Sequence, residues 1–183
     1  MIRLTEERLG RLRDRLRARG QRPSMLLAPG MPLPKADLVE ATQIVEEWGA
    51  FCEAMYLMMA ADRRVLHVER EVLRGALAVL SDDRVRTMHM DAMLDAAARK
   101  VGEEGADRRL AKVIEVLKED QARAETTVIL AAAIAAADDR VVPEEHALLA
   151  KMFAGLEIDQ ARADALLAEL DESLKTGRVE ARP

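Results

Sequence analysis

Two stretches 76 residues apart constrain this chain more than anything else in it. "AADRRVLHVEREVL" runs from Ala60 to Leu73, and "AADDRVVPEEHALL" runs from Ala136 to Leu149. Seven of their fourteen positions are identical, where average residue frequencies would give roughly one. The shared pattern is A-A-D-x-R-V-x-x-x-E-x-x-x-L. A run that is apolar on every side leads into each copy, "AMYLMMAA" in one and "VILAAAIAAA" in the other. Such a run makes a helix buried all round. An amphipathic stripe leads out: Val72, Leu73, Ala76, Leu77 and Leu80 correspond to Leu148, Leu149, Met152, Phe153 and Leu156. After a three-residue shift, Met93, Leu94, Ala97 and Val101 match Leu166, Leu167, Leu170 and Leu174. The chain therefore reads as an internal duplication around 54–101 and 130–174, each unit a helix into the turn, a helix out and a return helix. Two units are too few for a solenoid, so the halves should clasp each other as one bundle.

The rest of the pattern is also helical. Leu38, Ala41, Val45, Trp48, Cys52, Met55 and Met59 recur at alternating steps of three and four, one apolar seam on a long helix reaching about Ala61. Ile44, Phe51 and Met58 widen that face, and Asp37 with Glu40 has the spacing of a capping box. Gly49 interrupts this helix at a cost of up to ~1 kcal/mol unless close packing requires it. Leu110, Val113, Ile114 and Leu117 mark one more helix between the units. No sustained period-two alternation of β-branched residues signals a strand. With aromatics at only 2%, aliphatics and methionines must fill the core.

Residues 1–35 stand apart. They carry nine Lys/Arg and three Asp/Glu, a net +6, against −11 for the remainder. Thr5 can cap a first helix with Leu4 and Leu9 as a hydrophobic staple, and Gly20 can end it. Leu9, Leu12 and Leu16 line one face of that helix among eight arginines. "RPSMLLAPGMPLPK" then reads as a linker, because four prolines cannot continue a helix. The organisation expected is a basic amphipathic arm with its linker at 1–35, a helical domain at 36–176 and a tail at 177–183. The arm can dock on its own bundle, on a second copy in a homodimer, on a partner protein, or through residues 1–20 on an anionic membrane surface. Nucleic acid is not expected, since the acidic body repels phosphates.

Composition excludes several classes of function. A single cysteine, Cys52, forms no internal disulfide and fits a reducing, cytoplasmic setting. No uncharged apolar run reaches the ~18 residues of a membrane span, and arginines interrupt the N-terminus where a signal peptide needs an apolar stretch. His67, His89 and His146 lack zinc-ligand spacing. Met88, His89 and Met90 read as helix packing rather than a copper site. No phosphate-binding glycine loop or activated nucleophile appears, so no enzyme is expected.

The repeated turn carries the remaining chemistry. Asp62 and Asp138 end an apolar helix, where a short carboxylate can accept backbone N–H groups of the turn. Val65 and Val141 are expected to plug the core. Pro143 suits the first position of the next helix, and Glu144 and Glu145 suit its positive end. The same residues suggest a cation. Asp138, Asp139, Glu144 and Glu145 place four carboxylates in eight residues, and a pseudo-symmetric partner turn would add Asp62 and Glu69. Calcium or magnesium is the divalent cation such oxygens take, with water or carbonyls completing six to eight ligands. Arg63 and Arg64 replace the second turn's carboxylates in the first copy, so at most one good site is expected.

The segment "AAAIAAADDRVVPEEHALLAKMFAGLEID" resembles the TerB family, the tellurite-resistance-associated helical proteins. The family's element is an apolar helix, Ala-x-Ala-Asp-Gly-x-Val, a polar pair with Glu, and an amphipathic helix. Ala135, Ala137, Asp138, Val141, Glu144 and Glu145 fall on it, and so, more thinly, do Ala61, Asp62, Val65 and Glu69. The glycine after the aspartate is Arg63 in one copy and Asp139 in the other, and the resemblance covers about 38–175. It implies two TerB-like all-α halves and a non-enzymatic cytoplasmic adaptor in stress response, of the tellurite- or phage-resistance type. It also implies protein partners, some at the membrane, and a divalent metal at the acidic turns. The alternative of a different class is a hydrolase or transferase that holds a catalytic metal on the acidic cluster.

Overall fold

The computed structural model describes residues 6–21, 35–138 and 141–176. Among them lie eight helices and no strand: α1 (Glu6–Gly20), α2 (Lys35–Met59), α3 (His67–Leu80), α4 (Thr87–Glu104), α5 (Ala106–Leu117), α6 (Gln121–Ala135), α7 (Pro143–Gly155) and α8 (Gln160–Thr176). The fold is an all-α bundle. Thr5, Leu4, the proline-rich stretch at 22–34, Asp139 and the tail at 177–183 lie outside the described residues.

The two runs that are apolar all round form the centre. Every side chain of α6 from Thr127 to Ala135 is buried, and in α2 so are Phe51 to Met55 and Leu57 to Met59. α2 and α6 pack on each other, and α3, α4, α5, α7 and α8 surround them. Small alanines on α6 face larger methionines elsewhere in the core, Met55, Met58, Met59, Met90 and Met152 among them. The order α2, α3, α4 is repeated as α6, α7, α8, with α5 between the units.

The arm belongs to the same body. α1 buries Leu9, Leu12 and Leu16 and packs chiefly on α3, α8 and α6. Each leucine contributes on the order of 1.5–3 kcal/mol of burial. Gly20 ends α1 as expected, but its lack of a side chain serves mainly the crossing with α3. A Cβ on Gly20 would stand 1.8 Å from the Glu71 carbonyl oxygen, and one on Gly75 would stand 1.8 Å from the Leu16 carbonyl oxygen. Only glycine lets the two backbones meet this closely. Charges fringe the contact: Arg17 pairs with Glu71 at 3.0 Å, Arg19 with Asp83 at 3.0 Å, and Arg74 donates to the Gly20 carbonyl at 2.8 Å. The apolar face that would enter a lipid surface is thus spent on the protein's own α3.

Several local expectations are corrected. α2 starts at Lys35, so Asp37 falls inside its first turn rather than at the cap. Val45 is 48% exposed, an exception in a seam whose Cys52, Met55 and Met59 are fully buried together with Ile44 and Met58 of the widened face. Val65 is 42% exposed, while Val68 and Val141 pack against the core. In the first copy the plug has moved into α3. Gly49 has no neighbour that a Cβ would touch, so close packing does not explain it. α5 does explain Gly155, where a Cβ would meet the Ile114 side chain at 2.6 Å.

The halves are not covered equally. Val72 and Leu73 of α3 are fully buried, whereas Leu148 and Leu149 of α7 are only partly so. Among the described residues α1 packs on α3, while α7 packs on α5, α6 and α2.

Candidate functional site

On either side of their apex, where the second copy is described, the two acidic turns share their hydrogen bonds. The Ala60 N–H donates to the Tyr56 carbonyl at 2.9 Å, and Ala136 donates to Ala132 at 3.1 Å. Ala61 donates to Met58 at 3.1 Å, and Ala137 to Ile134 at 2.9 Å. Arg70 donates to Leu66 at 3.3 Å, and His146 to Val142 at 3.1 Å. Each partner is displaced by the repeat interval. The residues before the outgoing helices match as well, Leu66 at φ −83°, ψ 150° and Val142 at φ −80°, ψ 160°.

The shared glutamate explains the shared shape. Glu69 Oε2 accepts from the Leu66 N–H at 2.6 Å, and Glu145 Oε2 accepts from the Val142 N–H at 2.9 Å. Each is the glutamate half of a capping box. Leu66 and Val142 have no side-chain acceptor to return the bond, so the glutamate alone fixes the corner. Asp62 adds a second clamp in the first turn, accepting from the Arg64 N–H at 2.8 Å. Arg63 has φ 65°, the left-handed conformation that glycine adopts without strain. The turn thus takes a left-handed residue without the glycine best suited to it.

The corners also share an electrostatic environment. Glu69 is 4% exposed and Glu145 6%. Burial pushes the Glu69 carboxyl up to about 8; the Leu66 N–H opposes this, and the charges of Glu145, Asp62 and Asp138 add to it. Burial pushes Glu145 up to about 7; the Val142 N–H opposes, and Asp138, Asp62 and Glu144 add. Each glutamate therefore feels the aspartates of both turns. The charges of Asp62 and Asp138 act on both Glu69 and Glu145. Asp138 and Glu144 are exposed. Among the described residues, no three or more His, Cys, Asp or Glu side chains are grouped so as to hold a metal ion.

One cation reaches this corner from outside the repeat. Arg13 Nη1 of α1 donates to the Ala136 carbonyl at 2.9 Å, where the negative end of α6 favours positive charge. Sequence reading missed this tie because nothing in the arm's pattern names its receptor.

It also missed two buried carboxylates elsewhere. Glu53, on α2, receives Arg109 Nε at 2.6 Å and Nη2 at 2.9 Å, with Lys100 at 3.2 Å. Glu125, on α6, receives Arg162 Nε at 2.7 Å. The available signal was a charge set within or at the edge of an apolar run, which must be paired when buried. Both join helices.

Cys52 is buried and its thiol is pushed up to about 12 by desolvation, far from a reactive thiolate. His89 Nδ1 accepts from the Arg86 N–H at 3.3 Å as a helix-start group. Met88 is exposed and Met90 buried, so "MHM" does not converge on one point. No described helix is long and apolar enough to cross a membrane. Comparison with family models, with curated proteins and with solved structures finds no match.

Proposed function

We propose that this chain is a non-enzymatic, TerB-like interaction module working as a cytoplasmic adaptor in a stress response, with protein partners that include membrane-associated ones. The observation that supports it is that the acidic turn's flanking hydrogen bonds and glutamate cap are repeated in both copies, and that the carboxylates of the two corners act on each other. A surface carrying Asp62, Asp138 and Glu144 above two buried glutamates is suited to a basic partner or a cation.

The mutual repulsion of these carboxylates favours a second element of the reading, a calcium or magnesium ion at the corner. Asp138, Asp139, Glu144, Glu145, Asp62 and Glu69 would be its ligands, together with water. The experiment is a thermal-stability titration with calcium, magnesium, manganese and zinc, repeated on Asp138→Ala. A metal-dependent rise lost in the variant supports the ion; no rise at millimolar metal removes it and leaves the adaptor reading. Metal-dependent turnover of a phosphoester or acyl substrate, lost with Asp138→Ala, would instead favour a hydrolase or transferase. The adaptor reading itself is tested by pull-down from lysate with intact and Asp62→Ala/Asp138→Ala protein. A partner retained only by the intact corner supports it, and identical profiles sink it.

A further inference from the structure

We propose that the N-terminal half of α2 is a docking face for an amphipathic helix of another protein that carries basic residues along its edge. The seam Ala41, Val45, Trp48, Cys52, Met55, Met59 advances by alternating steps of four and three. That spacing lets a second helix pack along the whole line. The bundle covers only part of it. Cys52, Met55 and Met59 are fully buried, whereas Ala41 and Trp48 are partly covered and Val45 is 48% exposed. From Val39 to Gly49, Ile44 alone is buried. The open half therefore continues the bundle's own helix-packing surface, and what completes such a surface is a further helix.

Gly49 fits the same face. It lies one turn beyond Val45, and a Cβ there would meet nothing within 4 Å. At Gly20 and Gly75 this chain uses glycine to bring two helix backbones together; Gly49 offers that approach on an open side. Charge then selects the helix. Residues 35–49 hold Asp37, Glu40, Glu46 and Glu47 against Lys35, a net −3. Glu47 is held by Arg84 at 3.5 Å, but Glu46, next to Val45, is exposed and enters no ion pair among the described residues. A second copy of this chain would set the same acidic edge against itself, which like charges oppose, whereas a basic edge is attracted. Val45 precedes Met59, the last residue of α2, by about 21 Å at ~1.5 Å per residue. The face is thus separate from the acidic corner and goes beyond the reading given to it.

Trp48 is the chain's single tryptophan, so its emission reports on this face directly. The full-length protein is titrated with a tryptophan-free helical peptide that has leucine on one side and lysine on the other, and with its leucine–glutamate counterpart. Docking should give a saturable Trp48 shift with the lysine peptide and binding weaker by about tenfold or more with the glutamate peptide. Gly49→Leu blocks the open approach and should weaken the lysine peptide by about tenfold, with circular dichroism showing that the fold persists. Glu46→Lys should weaken it several-fold, and Asp62→Ala/Asp138→Ala should bind as the wild type does. Binding lost in that corner variant but kept in Gly49→Leu places the peptide at the acidic turns; it overturns the α2 face and leaves the adaptor reading intact. No saturable shift, or equal shifts from both peptides, overturns the α2 face as well. A Trp48 shift that grows with protein concentration in the absence of peptide, with a mass approaching twice 20.3 kDa, gives the face to a second copy and is equally fatal.

Discussion

Gly20 and Gly75 form the point where α1 and α3 touch backbone to backbone; a Cβ on either would lie 1.8 Å from a carbonyl oxygen of the other helix. Carbonyl oxygens cannot rotate aside as side-chain ends do, so the helices themselves would have to separate. Gly75→Ala should therefore cost about 3 kcal/mol, the upper range for overpacking, and lower Tm by roughly 6–12 °C. Trypsin should then cleave the arginine-rich α1 faster. Gly102→Ala is the control, because a Cβ there meets nothing, and it should be neutral or mildly stabilising. Equal Tm values for the two variants would count against the close crossing.

The crossing also marks what the sequence could not reveal. Leu9, Leu12 and Leu16 announce an apolar face by their spacing, but a face does not name its receptor. The repeat was legible because identity at Glu69 and Glu145 carries identical cap geometry. The seam was misread at Val45, beside a fully buried Ile44, because periodicity shows which residues share a face and not which edge of that face the bundle covers. Glu53 and Glu125 stayed hidden because Arg109 and Arg162 lie 56 and 37 residues away. Pairing at such separation is a property of the fold. Of the six residues read as a metal set, Asp62, Glu69, Asp138 and Glu145 share one environment through pseudo-symmetry, which the duplication alone made foreseeable.

That shared environment gives the protein an uneven pH profile. The folded Glu69 and Glu145 carboxyls lie at about 8 and about 7, above their ordinary 4.5. A raised carboxyl favours the protonated fold, so its contribution is full below 4.5 and fades as pH climbs through 7 to 8. Glu125 has the opposite sign: the Arg162 hydrogen bond holds it below its usual range, so its contribution fades in acid. Stability should therefore peak near pH ~4.5, fall from there to pH ~8 and level off above it. Glu69→Gln keeps an acceptor for the Leu66 N–H and should flatten the alkaline fall. Denaturant midpoints at pH 6 and pH 9 for both proteins measure this, and an unchanged slope in the variant would refute the assignment to Glu69.

Arg63 and Gly49 are each less suited than the other's residue type to their place. Arg63 holds φ 65°, where a Cβ costs about 1–2 kcal/mol, and its own side chain is exposed. Gly49 lies inside α2 with open space around it, where alanine gains up to ~1 kcal/mol. Arg63→Gly and Gly49→Ala should each raise Tm by roughly 2–4 °C and add when combined, since they act on separate segments. A fall in Tm for Arg63→Gly would mean that Arg63 supports the turn through its side chain.

The Glu53–Arg109 pair binds α2 to α5 with two hydrogen bonds, and Glu53 is 3% exposed. Lys100 of α4 reaches the same carboxylate at 3.2 Å, so three helices meet on one charge. Arg109→Ala leaves that charge buried with only an exposed lysine as cation, and should cost about 3–5 kcal/mol. Removing both charges as Glu53→Leu/Arg109→Met takes away the desolvation penalty together with the attraction. That double variant should recover most of the loss, because a packed apolar pair is often neutral beside a buried ion pair. Urea unfolding of the wild type, Arg109→Ala and the double variant separates the outcomes. If the double variant is as unstable as Arg109→Ala, the pair contributes attraction well beyond its burial cost. In that case α2, α4 and α5 are held chiefly by charge.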